Sequence, residues 1–216
     1  MDFEMDRFIS ALIDRSPPHA WEHLQLVLIP LVIAFLIAFP VAVLLTRPRF
    51  VKYTERVMAF FNTGQTIPPL AVIAIFFPFL GLGREPALFA LTIYALLPIA
   101  RNTLAGLKGV PWEVKDAAQG MGMSGWEVLT QVEIPLSVPV IMAGIKISVV
   151  LTSGTAALGA LVGGGGMGAV LFAGIDFFRA ELIVAGTLII AAIAILLDRI
   201  LSLIDNYLTP PHMKMQ

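Results

Sequence analysis

Residues 24–46 contain no Asp, Glu, Lys or Arg. A helix needs about 20 apolar residues to cross the hydrocarbon of a bilayer, because only a backbone that bonds to itself is tolerated there. Residues 57–80, 86–107, 138–162 and 182–204 approach the same standard, so the expectation is an all-α integral membrane protein of about five transmembrane helices. With 58% hydrophobic and 13% charged residues, the chain lies well outside the composition of an ordinary soluble domain. The first run follows an acidic leader, residues 1–23, and reads as a retained span rather than a cleaved signal peptide.

Charges inside the later runs refine their edges. The third run is clean only from 86 to 100, which puts Arg101 near its end, where a long side chain snorkels to the surface. The fourth carries Lys146 and the fifth Asp198 and Arg199. For Lys146 two readings stand: snorkelling or pairing with the polar loop, against a role toward a solute.

Basic residues set the expected orientation. With the N-terminus outside, Arg47, Arg49, Lys52, Arg56, Arg101, Lys108, Lys115, Arg199 and Lys214 fall inside, and Arg7, Arg15, Arg84 and Arg179 outside. That bias follows the positive-inside rule, giving N-out and C-in. The expected division is an extracytoplasmic leader (1–23), one transmembrane domain (24–208) and a cytoplasmic tail (209–216). Trp21, Trp112 and Trp126 sit at span edges or in the long loop, where amphipathic rings anchor an interface.

Several chemistries are excluded. A net charge of −1 spread thinly between apolar runs offers no basic face for nucleic acid. There is no cysteine, hence no disulfide, thiolate metal site or cysteine nucleophile. His19, His23 and His212 lie outside the apolar runs. His19 and His23 are spaced i,i+4 without a third ligand, so they read as solvated histidines near a surface and no metal site is assigned. The run Gly163–Gly168 satisfies GxGxxG, but no strand precedes it and no lysine follows, so it reads as a closely approached extracytoplasmic turn rather than a phosphate cradle. Asp176, Arg179 and Glu181 read as a solvated outer cluster, available to another protein.

Pro68, Pro69 and Pro78, with Gly64 before them, interrupt the second run. Each proline removes a donor that lipid cannot replace, so this segment is either a kinked packing helix or one that lines a water-filled path. Gly154, Ala156, Ala157, Gly159 and Ala160 suggest close packing in the fourth span.

Residues 107–136 form a polar stretch on the expected cytoplasmic side. Pro111 opens a short helix, Gly120 and Gly122 stop it, and Ser124 with Glu127 forms a capping box for a second helix expected to end before Pro135. Within it stand Asp116-Ala117-Ala118, three residues, Gly122, nine residues, then Val132-Glu133-Ile134-Pro135. This resembles the loop of ABC-importer permeases, whose pattern is Glu-Ala-Ala, three residues, Gly, nine residues, Ile-x-Leu-Pro. The departures are Asp for Glu, Val for Ile and Ile for Leu.

The stretches Gln65-Thr66-Ile67-Pro68, residues 94–103 (YALLPIARNT) and residues 161–168 (LVGGGGMG) are similar to permeases that import osmoprotectants such as glycine betaine, carnitine and choline. The resemblance implies a type I importer permease in the bacterial inner membrane, paired with a second copy or paralogue. It implies two ATP-binding subunits, which would use ATP and Mg, and an extracytoplasmic binding protein. This chain would bind no cofactor and perform no catalysis. Asp116, Ala117, Ala118, Gly122, Val132, Ile134 and Pro135 would form the ATPase-coupling loop.

A permeating quaternary amine donates no hydrogen bond, so its path should offer aromatic and hydroxyl contacts. Gln65, Thr66, Tyr94, Thr152 and Ser153 are the candidates. The alternatives are a permease of like architecture for another solute such as methionine, and an ATP-independent channel or secondary transporter, for which buried acidic or histidine relays would be wanted. An intramembrane enzyme would need a nucleophile with its base, or a metal set.

Overall fold

The structure, a computed structural model, describes residues 4–209. Among them every regular element is helical. In chain order these are α1 (Met5–Leu45), α2 (Val51–Thr66), α3 (Pro69–Leu80), α4 (Glu85–Gly109), α5 (Trp112–Gly120), α6 (Gly125–Val162), α7 (Met167–Asp176) and α8 (Ala180–Leu208). Four helices, α1, α4, α6 and α8, are long and apolar enough to span a membrane, and α2 with α3 makes a fifth if the bent pair counts as one. The expected number of spans therefore stands, with the second one broken.

The break follows from local chemistry. The residue before a proline is pushed out of the α region, and Pro68-Pro69 imposes this twice in succession. Ile67 and Pro68 are accordingly extended, at ψ 130° and 138°, and α2 and α3 meet at 92°. Pro69 then serves as a helix-opening residue, where its missing N–H costs nothing.

The core lies where α1, α4 and α6 meet. Ala34, Ala38 and Ala42 of α1, spaced four apart on one face, are fully buried and let that helix approach closely. Leu91, Ala95 and Ile99 of α4 and Val149 and Ala156 of α6 form one cluster with Ala34 and Ala38, with Leu197 of α8 closing one side, while Ala42 packs with Leu45 and Leu104. Within this core close approach is tight at Gly144 of α6, where an added Cβ would fall 2.7 Å from the Pro98 carbonyl oxygen and 2.6 Å from Asn102 Cβ. Ala156, Ala157 and Gly159 are buried as expected for packing residues, whereas Gly154 faces away from the bundle with nothing near a would-be Cβ.

Two expectations are corrected. The leader does not precede the first helix but is its beginning: α1 starts at Met5, and Ala11 packs with Met167 and Val170 of α7 and Leu182 and Ala185 of α8. Nor does the second loop helix stop before Pro135. Proline removes one helical bond and crowds the carbonyl four residues back. The chain passes it by widening into π-helical turns over Val128–Glu133, which lengthen the bonding reach to five residues. The loop helix and the fourth span are thus one helix, α6. The expected tail beyond Thr209, with His212 and Lys214, lies outside the described residues.

Candidate functional site

The loop is built from the end of α4. Val110 and Pro111 are extended, since Val110 precedes a proline, and α5 begins at Trp112. Its C-terminus closes with Met121 N–H donating to the Ala117 carbonyl (3.0 Å) and Met123 N–H to that of Ala118 (3.2 Å). This closure needs left-handed backbone at Gly122, whose φ is +90°, a conformation glycine adopts without cost. The capping box is formed as expected: Glu127 N–H donates to Ser124 Oγ at 3.3 Å and Ser124 N–H to Glu127 Oε2 at 2.7 Å.

The motif residues divide by exposure. Asp116, Ala117 and Gly122 are exposed, Ala118 is buried, and Val132, Ile134 and Pro135 are half-buried at the base of α6. Around the exposed set stand three large apolar side chains, Trp112 (65% exposed), Met121 (78%) and Trp126 (72%). The candidate residues of the loop did not include these three. Their signal was large apolar side chains in an otherwise polar segment, a composition that marks a surface made for contact.

Glu133 was also absent from the candidates, although it stands inside the motif. It is only 5% exposed. One carboxylate oxygen accepts from Arg47, just past α1, and the other lies 3.3 Å from Lys115 Nζ on α5. Lys115 Nζ also donates to the Leu107 carbonyl at 3.1 Å. The ends of α1 and α4, the helix α5 and the base of α6 therefore converge on one carboxylate.

Around the middle of α1, the glycine turn between α6 and α7 is clasped. Gly166 N–H donates to Glu22 Oε2 at 2.9 Å, and His19 Nδ1 lies 3.3 Å from the same oxygen. Gly83 N–H donates to the Val162 carbonyl at 2.8 Å, and Arg84 donates to Gln25 at 2.7 Å. His23 is corrected here: it is not solvated but fully buried, with Nε2 3.0 Å from the Ser153 carbonyl. Only a donor satisfies a carbonyl, so the contact implies that Nε2 carries the proton. Glu181 is corrected too, being buried and accepting from Glu4 N–H at 3.0 Å. Asp176 and Arg179 are exposed as expected. Among the described residues no group of three or more His, Cys, Asp or Glu is arranged to hold a metal.

The path candidates fall into two sets. Gln65 Nε2 donates to the Tyr94 carbonyl at 3.3 Å. Pro98 has no N–H to offer that carbonyl, so the glutamine supplies the donor the helix lacks. Tyr94 itself packs with Val72 and Ile73 of α3 and Ala90 of α4, and its buried hydroxyl has no partner among the described residues. Thr152 and Ser153 are buried on α6. Thr152 Oγ1 donates to the Ser148 carbonyl at 2.8 Å, while Ser153 Oγ, like the Tyr94 hydroxyl, is unpartnered. Thr66 is exposed and donates to the Thr63 carbonyl at 2.8 Å. Lys146 pairs with Asp205 of α8, Nζ to Oδ2 2.9 Å, so its partner comes from the last helix rather than the loop.

Comparison with known proteins places this architecture. The chain is 42% identical, over 88% of its length and 86% of the relative's, to the glycine betaine/carnitine/choline transport system permease protein OpuCB of Bacillus subtilis (strain 168). It is 39% identical, over 90% and 88%, to the choline transport system permease protein OpuBB of the same organism. Among solved structures, a chain of the inward facing MetNI methionine ABC transporter superposes with a TM-score of 0.81 over 96% of this chain and 100% of that one. Its sequence identity of 24% makes that likeness one of fold. Residues 34–210 match the binding-protein-dependent transport system inner membrane component family, and to that family of inner-membrane permeases this chain belongs.

Proposed function

We propose that this chain is the membrane-spanning subunit of an ATP-driven importer that carries quaternary-amine osmoprotectants, glycine betaine, choline, carnitine or a similar solute, into the cell. The observation that carries the solute class is the 42% identity, over most of both chains, to a permease named for glycine betaine, carnitine and choline. The likeness to a methionine transporter, at 24% identity, favours no solute.

Force enters through the loop. Two ATP-binding subunits, which use ATP and Mg, sit beneath a pair of permeases formed with a second copy or a paralogue. Each receives a loop through Asp116, Ala117 and Gly122 and the exposed Trp112, Met121 and Trp126. Ala118, Val132, Ile134 and Pro135 seat the loop on the bundle. A ligand shifts a two-state equilibrium only through contacts that differ between the states, and closing of the ATPase pair supplies such a difference here. With the N-terminus outside, the clasped glycine turn faces the binding protein, and Asp6, Arg7, Arg15, Arg179 and Glu181 line an open groove of both charge signs between the first turns of α1 and α8. Tyr94 and Ser153, whose buried hydroxyls are unpartnered, are the residues we assign to the path ahead of Thr66, Thr152 and Gln65.

The test is uptake by the complete complex in proteoliposomes, with labelled glycine betaine, choline, carnitine and methionine. ATP-dependent accumulation of at least one quaternary amine, without methionine, is expected; accumulation of methionine alone would overturn the solute assignment.

A further inference from the structure

Glu133 occupies the position between Val132 and Ile134 that the loop pattern leaves free, yet its surroundings are the most constrained of the segment. It is the last residue of the π-turns, and an inserted residue rotates the remainder of the helix by about 100° relative to an unbroken α-helix. The bulge therefore decides which way the base of α6 presents its carboxylate. At 5% exposure water contributes little to its solvation, and removing one partner of a buried charge costs far more than a surface pair is worth.

Each oxygen has its own cation. Oε2 accepts from Arg47 Nη2, and Oε1 lies 3.3 Å from Lys115 Nζ. Arg47 is itself fixed, its Nη2 and Nε donating to Thr46 Oγ1 at 2.8 and 3.0 Å, and that hydroxyl donates to the Val43 carbonyl at 2.7 Å. A continuous chain of hydrogen bonds, completed by the Glu133–Lys115 ion pair, thus runs from the last turn of α1, through Glu133, to the helix that carries the exposed loop face.

We infer that Glu133 is a positioning residue for energy coupling, a strut that makes α5, the base of α6 and the end of α1 move as one body. Covalent continuity ties the loop only to α4 and α6. The carboxylate adds α1, which contacts the glycine turn near its midpoint through Glu22. This inference rests on the loop being the site where the ATP-binding subunit engages, and it adds the route by which that engagement reaches the first membrane helix.

The experiment uses the whole complex in proteoliposomes, measuring ATP hydrolysis and uptake of labelled glycine betaine, choline and carnitine on the same vesicles. Glu133→Gln keeps the shape and removes the charge. It is expected to leave the complex assembled and hydrolysing ATP while solute moved per ATP falls about tenfold, the scale of an ordinary coupling between sites. An unchanged ratio overturns the strut. Arg47→Gln, which leaves Lys115 on the carboxylate, is expected to lower the ratio less, and to add nothing in the Glu133→Gln background, since both break one connection. Additive losses overturn it. Should Glu133→Gln fail to assemble, Arg47→Gln alone decides, a lowered ratio supporting the strut and a normal one overturning it. Gly122→Asp, on the exposed turn, separates the two levels: normal uptake there defeats the reading of the loop itself, whereas abolished uptake there with a normal ratio in Glu133→Gln defeats only the strut.

Discussion

Single side chains in this protein do work that their neighbours in sequence do not reveal. Gly144 and Gly154 sit in the same helix, but an added Cβ is blocked at the first and free at the second. Gly144→Ala is therefore expected to destabilise the bundle by about 1–3 kcal/mol, the usual cost of overpacking, while Gly154→Ala leaves thermal unfolding in detergent unchanged. Ser124→Ala removes the side-chain half of the capping box and should cost the loop about 1 kcal/mol, read as faster amide exchange from Gly125 to Val128. The capping box was legible beforehand because both its residues lie within one turn and the pattern is local. Glu133 was not, because its partner Arg47 is 86 positions away and nothing local distinguishes a buried carboxylate from a solvated one. His23 was misread for the same reason: a histidine at the edge of an apolar run looks solvated until the helix that covers it is in place.

At the scale of the helix, prolines explain most departures from regularity, and each is answered by a specific device. Pro68-Pro69 is answered by a full break, while Pro98 is answered by a borrowed donor, Gln65. Gln65→Leu is expected to leave the Tyr94 carbonyl unsatisfied and to cost about 1–3 kcal/mol. A variant that unfolds normally but changes solute preference would move Gln65 from scaffold to path. Pro17 and Pro18 are answered as Pro135 is, by π-turns just before them, over Ala11–Arg15. In both places a serine hydroxyl caps a carbonyl of the widened turn, Ser16 to Ala11 and Ser137 to Glu133, each at 2.7 Å. Sequence alone locates the prolines but does not say which remedy is used, since bending, widening and borrowing depend on what packs nearby. Hence the break in the second span was foreseeable as an irregularity, and the passage of α6 through Pro135 was not.

For the molecule as a whole, hydropathy carried the number of spans and a spaced motif carried the family, because both are properties of the chain that survive without tertiary detail. Orientation rests on the distribution of lysine and arginine. The chain has no native cysteine, so Ser124→Cys gives a single reporter. A membrane-impermeant maleimide is expected to label it only after the cells are opened, and labelling of intact cells would invert the proposed topology. Helix α1 runs unbroken for 41 residues, about 60 Å at the rise of an α-helix, twice the hydrocarbon thickness of about 30 Å. It is held near its midpoint by Glu22 and His23 and just past its C-terminal end by Arg47. A rod pivoted near its midpoint and drawn at one end swings its two extremities in opposite senses, like a see-saw. In the importer proposed above, widening on one side of the membrane and narrowing on the other would then be a single movement, and neither would require a signal of its own.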